Sequence, residues 1–148
     1  MKHSLPRVLL MAGATALGQT SSFIPTAYAP SGKEAPTRTI GEEKWLYGTW
    51  TGAANQFDDH SRWTIVLTKK AGSQYFIIKY PSIACHGYLD LRSISSKRAE
   101  LRELITAGNC VQNVRIVLTK ITSKKAYYRA YWPNDAQLNA EGILHKSK

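Results

Sequence analysis

A chain of 148 residues, 43% hydrophobic and 20% charged, has enough apolar side chain to bury the core of one domain. Its formal net charge of +10 argues for an acidic partner, such as an anionic envelope polymer, lipid head groups or nucleic acid. After the N-terminal segment no apolar run approaches about 18 residues, which excludes a further transmembrane helix and makes a soluble mature chain the expectation.

The first segment reads as an export signal. Lys2, His3 and Arg7 form a basic start, residues 8–17 are apolar and small, and Ala27-Tyr28-Ala29 has the spacing of a cleavage site. Residues 1–29 are therefore predicted to be a signal peptide. Because cleavage after Ala29 puts Pro30 first, a cut a few residues away is left open. The leader has neither an Arg-Arg pair nor a cysteine near its end, so neither twin-arginine export nor a lipid anchor is expected. The predicted destination is the periplasm or the exterior. Residues 30–43 carry Pro30, Ser31, Gly32, Pro36 and Gly41 among mixed charges, show no period, and read as a flexible arm.

From Trp45 onward apolar and polar residues alternate, interrupted regularly by turn residues, the pattern of an antiparallel barrel or sandwich. Eight strands are predicted, at 44–51, 62–69, 74–80, 87–94, 99–105, 113–120, 126–132 and 137–144, within one all-β domain over 44–148. Residues 99–105 fit a short helix as well as a strand, but seven residues beside turn and β-branched residues favour the strand. One face is consistently apolar: Trp63, Ile65 and Leu67; Leu89 and Leu91; Val114, Ile116 and Leu118. The seventh and eighth strands add Ala126, Tyr128, Ala130 and Trp132, then Leu138, Ala140 and Leu144. Thr64, Asp90 and Arg115 should point outward. Tyr75-Phe76-Ile77-Ile78 is apolar on both faces, so the third strand is expected to be central or covered on its outer side.

Both cysteines lie beyond the leader, and in an oxidising compartment Cys85–Cys110 is the one internal bridge the chain can make. A meander brings both to the same end, and the bridge is reachable if their turns are neighbours, as in an up-and-down eight-stranded barrel or a closely related sandwich. Export argues against reading Cys85 beside His86 as a thiol nucleophile.

Three stretches carry a resemblance: Trp45-x2-Gly48-Thr49-Trp50-x-Gly52, Tyr80-Pro81-Ser82-x2-Cys85-x-Gly87-x-Leu89, and Glu103-x-Ile105-x2-Gly108-x-Cys110. Together they resemble a small exported bacterial extracytoplasmic β domain, found in secreted proteins and as an outward-facing module of bacterial receptor kinases. His86 stands where that pattern usually has glycine. The family has no settled activity, so the resemblance implies fold, export and a disulfide. Gly48-x-Trp50 also resembles the first-strand motif of lipocalins and avidins.

Sorting the turns by end gives the candidate site. One end collects Lys69, Lys70, Lys97, Arg98, Lys124 and Lys125 with the tail His145-Lys146-Ser147-Lys148. The six side chains from Lys69 to Lys125 are the candidate anion-binding residues, set against the plain alternative that such lysines only keep turns soluble. The other end holds Asp58, Asp59, His60, His86, Asn109, Asn134 and Asp135. Its Asp and His residues have no recognised metal-ligand spacing, so no metal or other cofactor is expected. Ser82, His86 and Asp90 have the residue types of a hydrolytic triad, but Asp90 should face outward and no nucleophile elbow surrounds Ser82. Trp45, Tyr47, Trp50, Tyr75, Tyr127, Tyr131 and Trp132 could stack bases or sugars, although nucleic acid is not the expected partner of an exported chain.

The expected function is a non-catalytic binding domain for an anionic envelope polymer or an acidic protein. One alternative is an inhibitor or immunity-type protein against a cell-wall hydrolase, for which a positive charge disfavours basic targets. Another is a lipocalin-like small-ligand carrier, for which Ala126, Ala130, Ala140 and Gly142 leave some interior room.

Overall fold

The computed structural model describes residues 41–148 apart from 135 and 136, so the predicted signal peptide and most of the predicted arm lie outside the described residues. Eight strands follow one another: β1 Gly48–Gln56, β2 Arg62–Lys69, β3 Phe76–Tyr80, β4 Cys85–Ile94, β5 Arg98–Ala107, β6 Arg115–Thr122, β7 Lys125–Tyr131 and β8 Leu138–Lys146. Each pairs antiparallel with the next, and β8 returns to pair with β1, closing the barrel. Closure leaves no strand edge unpaired. At the seam, a Cβ on Gly142 would lie 1.9 Å from the Ala53 carbonyl oxygen, and one on Gly52 would lie 2.1 Å from that of Ile143. The sharp approach of β1 to β8 therefore needs residues without side chains.

The alternating face is the core. Trp63, Ile65, Leu67, Leu89, Leu91, Val114, Ile116, Leu118, Ala126, Tyr128, Ala130, Ala140 and Leu144 are buried, while Thr64 is exposed. Trp132 and Leu138 are half-buried. Residues 99–105 are strand, within β5. No helix of the described residues is long and apolar enough to cross a membrane.

Two expectations need correction, and a third holds through one of its alternatives. The first strand begins at Gly48 rather than at Lys44, because Glu42–Leu46 forms a 3-10 helix. Trp45 and Leu46 are adjacent and both buried, which a helical turn laid over the barrel end delivers and a regularly alternating strand does not. That turn also claims Glu42 and Glu43, the last acidic pair of the predicted arm. The third strand is central, as expected, hydrogen-bonded to β2 and β4, and its outer side is open to solvent. Ile77 is 37% exposed, and by register it lies beside exposed Tyr88, itself beside exposed Leu104. Finally, β8 does not alternate cleanly. Ala130 pairs with Ala140 but Tyr131 pairs with Leu138, so Asn139 is an extra residue and turns inward next to buried Ala140.

Candidate functional site

The two ends of the barrel are built differently. One is plugged. Trp45 and Leu46 pack there with Trp50, whose indole N–H donates to the Leu46 carbonyl at 2.9 Å. The Trp45 indole donates to Ser95 O at 3.1 Å and meets the Trp50 ring edge-on at 6.2 Å. Lys146 donates to Trp45 O and places its ammonium 5.1 Å from the centre of the Trp50 ring.

The expected basic residues fall on the strand ends and turns of this plugged end. Lys70, Lys97, Arg98 and Lys124 are exposed and Lys125 is half-buried. Lys69 is different: only 3% of it is exposed. It follows Trp63, Ile65 and Leu67 at period two, so its side chain turns inward. Its ammonium donates to Ser73 O, lies 3.7 Å from the Glu43 carboxylate and sits 4.8 Å from the Phe76 ring centre. Lys69 is therefore a structural cation, not part of the exposed set. Arg98 shares its charge with Glu100 at 3.3 Å. The clusters that contain no acid in sequence thus have Glu43 and Glu100 beside them in space.

The other end is open. A cavity of about 220 Å³ enters the barrel there, its deeper wall made by Trp63, Tyr80, Glu103, Val114, Tyr128 and Asn139. Ile83, Val111 and Trp132 stand around it on three different turns. A smaller cleft of about 110 Å³, lined partly by Phe57, shares Trp132 and Asn139 with it.

At the cavity's base lies a chain of three polar side chains. Glu103 follows Ala99 and Leu101 on the inward phase of β5, and only 3% of it is exposed. The Tyr80 hydroxyl donates to Glu103 Oε1 at 2.5 Å and lies 3.2 Å from the Tyr128 hydroxyl. Tyr80 has one hydrogen and gives it to the carboxyl group, so Tyr128 must donate to Tyr80. Glu103 Oε2 receives no hydrogen bond from a described residue, and no described cation pairs with the group. Burial pushes the Glu103 carboxyl up to about 7, against the smaller lowering effect of the Tyr80 hydrogen bond. Burial likewise holds both phenols above their ordinary range. A second acceptor joins the carboxyl. Asn139 is 8% exposed, and its Oδ1 is buried without a hydrogen-bond partner.

The disulfide shapes this mouth. Cys85 and Cys110 are bonded with Cα atoms 6.2 Å apart, which ties the β5–β6 loop to the start of β4. Gly108 packs against the bridge at φ +92, where a Cβ would lie 2.5 Å from Cys85 Sγ. The Gln112 amide bonds Ile105 N at 2.9 Å and Ile105 O at 2.8 Å, taking the place of a strand neighbour. Asn109, Cys110 and Val111 of the same loop line the cavity.

The remaining candidate residues do not assemble. Asp58 accepts hydrogen bonds from Gln56 and from the Asp59 amide, and Asp59 accepts from the Ser61 amide, so both carboxylates close the β1–β2 turn. His60 and His86 are exposed, and among the described residues no three metal-ligating side chains come together. Asn109 and Asn134 are exposed residues of this end, and Asp135 lies outside the described residues. Ser82 is engaged with Thr64, whose amide donates to its hydroxyl at 2.9 Å, and Asp90 pairs with Arg92 at 3.2 Å. Of the aromatics, Trp45 and Trp50 belong to the plug, Tyr127 and Tyr131 carry Arg129 and Arg115 on the outer surface, and only Trp132 reaches the cavity.

Sequence reasoning placed Tyr128 in the core but gave no role to Tyr80, Glu103 or Asn139. Period-two phase could have found the first two, since Tyr80 continues Phe76 and Ile78 just as Glu103 continues Ala99 and Leu101. Asn139 had no such signal, because a bulge is not written in the alternation. The chain matches no protein-family model, no curated protein and no solved structure.

Proposed function

We propose that this chain is an exported, non-catalytic binding barrel that holds a small, largely apolar ligand in its open end. The cavity carries this reading. An eight-stranded barrel is normally filled by its own side chains. Here the aromatic plug fills one half, while Ala130, Val114 and the inward-turned Asn139 leave about 220 Å³ in the other. Binding is favoured over turnover because Glu103 is the one carboxyl group among the described residues that line the cavity, so they supply no pair of carboxyls for acid–base work. The leader and the disulfide support export. Titration with 2-phenylethanol, followed by amide NMR shifts, is expected to perturb Trp63, Val111, Val114 and Ala130 selectively. Ala130→Leu, which fills the cavity from β7, should abolish those shifts without unfolding the barrel. Shifts scattered over the outer surface, or unchanged by Ala130→Leu, would overturn the reading.

A second reading concerns the plugged end, where Lys70, Lys97, Arg98 and Lys124 remain exposed and Lys125 is half-buried. There the chain would dock on an anionic envelope polymer or an acidic protein, through contacts that are each weak and screened by salt. Retention on immobilised heparin, used as a generic polyanion, is expected to fall steeply between low and physiological salt. Lys70→Glu with Lys124→Glu should reduce it far more than Arg62→Glu with Lys79→Glu, two exposed cations toward the open end. Equal losses would mean that net charge alone matters.

A further inference from the structure

We propose that the ligand of the open end carries a protonated amine, received by Glu103 Oε2 and Asn139 Oδ1; this rests on the small-ligand reading above. Two acceptors of the cavity, one of them a carboxyl oxygen, have no partner among the described residues. Both phenolic hydrogens are committed along the run from Tyr128 to Tyr80 to Glu103. The two are Glu103 Oε2 and Asn139 Oδ1, each on a side chain more than nine-tenths buried, and Asn139 Oδ1 is itself fully enclosed. Buried acceptors left unmet are costly, and a carboxylate without a cation most of all. A ligand that brings N–H donors and a positive charge satisfies both at once. An anionic ligand would add a second negative charge beside Glu103 and is excluded on the same ground.

The surroundings agree. Trp63, Trp132, Tyr80 and Tyr128 line the cavity, and aromatic walls favour a desolvated cation over an anion. The lysine turns lie at the far end, while the turn beside the mouth carries Asp58 and Asp59. The size is restrictive. A dry cavity of ~150 Å³ accepts benzene, so about 220 Å³ accommodates one ring with a short arm. The class is therefore a small aryl-alkyl amine rather than a polyamine or a lipid.

Three probes of one shape test this: 2-phenylethylamine, 2-phenylethanol and phenylacetate, titrated calorimetrically into the disulfide-bonded protein at pH 8. The amine is expected to bind at least tenfold more tightly than the alcohol, and phenylacetate not to bind. Glu103→Gln should bring amine and alcohol to within about twofold, while Asn139→Ala should weaken the amine more than the alcohol. Lowering the pH from 8 to 5 should weaken the amine in the wild type only, because Glu103 takes up a proton while the Tyr80 and Tyr128 phenols facing it stay neutral throughout. Equal affinities for amine and alcohol in the wild type, or a tenfold preference that survives Glu103→Gln, would overturn the amine assignment and leave the cavity reading standing. Binding of none of the three would remove both.

Discussion

Replacing both Cys85 and Cys110 by alanine is expected to cost the domain about 3.5 kcal/mol. The bridge spans a separation of 25 residues, and closing a loop of that size raises the free energy of the unfolded ensemble by about that much. For a domain whose total stability is on the order of 5–15 kcal/mol, this is a large fraction. The loss should also be local in its first effect. The bridge joins β4 to the β5–β6 loop, and without it that loop keeps the Gln112 contacts with Ile105, the Arg102 guanidinium's bond to Asn113 O and the pairing of Glu103 with Asn113 and Val114. Hydrogen exchange of residues 108–113 should therefore quicken before β1, β2, β7 and β8 open. Urea midpoints for the wild type and the double variant, together with exchange on the folded proteins, measure both effects. A loss below about 1 kcal/mol would mean that the loop is held mainly by its hydrogen bonds rather than by the bridge. Two free thiols in the denatured, unreduced wild type would remove the premise altogether.

How much of this was legible depended on whether the backbone stayed regular. β2 was read to the residue, and the inward faces of β4, β6 and β7 followed from alternation, because a closed antiparallel barrel buries one side of every strand. The disulfide followed from turn parity. The failures share another cause. Trp45-Leu46 broke the period because they form a plug, and a plug is specified by what it covers rather than by its own pattern. Asn139 was hidden by a bulge in β8. Lys69 and Glu103 were hidden by their charge. The phase of each points inward, but a charged residue in a strand is ordinarily taken as solvated, and only packing shows which charges the barrel has enclosed. Lys69 found an acid and an aromatic ring to face; Glu103 found two phenols and, among the described residues, no cation.

Glu103 should consequently make the domain less stable as the pH rises. The group's folded value of about 7 lies above the ordinary 4.5, so between those values the folded state binds more protons than the unfolded one. Its contribution is fully present below the ordinary carboxylate range and is lost as the pH climbs through about 7. The integrated loss is on the order of 3 kcal/mol. Other carboxylates slope the opposite way, as Asp59 does, being held low by its hydrogen bonds with Ser61, so the raw pH profile of the wild type mixes both signs. Comparison with Glu103→Gln isolates the contribution of this one carboxyl. Glutamine has nearly the same shape, can accept the Tyr80 hydroxyl and does not ionise. The two proteins should be closely matched in urea near pH 4, and the variant should be more stable by roughly 3 kcal/mol at pH 8. A wild-type-to-variant difference that does not change with pH would show that water or a neighbouring group already solvates the carboxylate. In that case the enclosed negative charge, which an amine would otherwise relieve, does not exist. If the difference appears, saturating 2-phenylethylamine should shrink it at pH 8, because a ligand that binds the folded, ionised form shifts the unfolding equilibrium in its favour. The strand residue that costs the empty barrel stability at neutral pH would then be the one that selects what fills it.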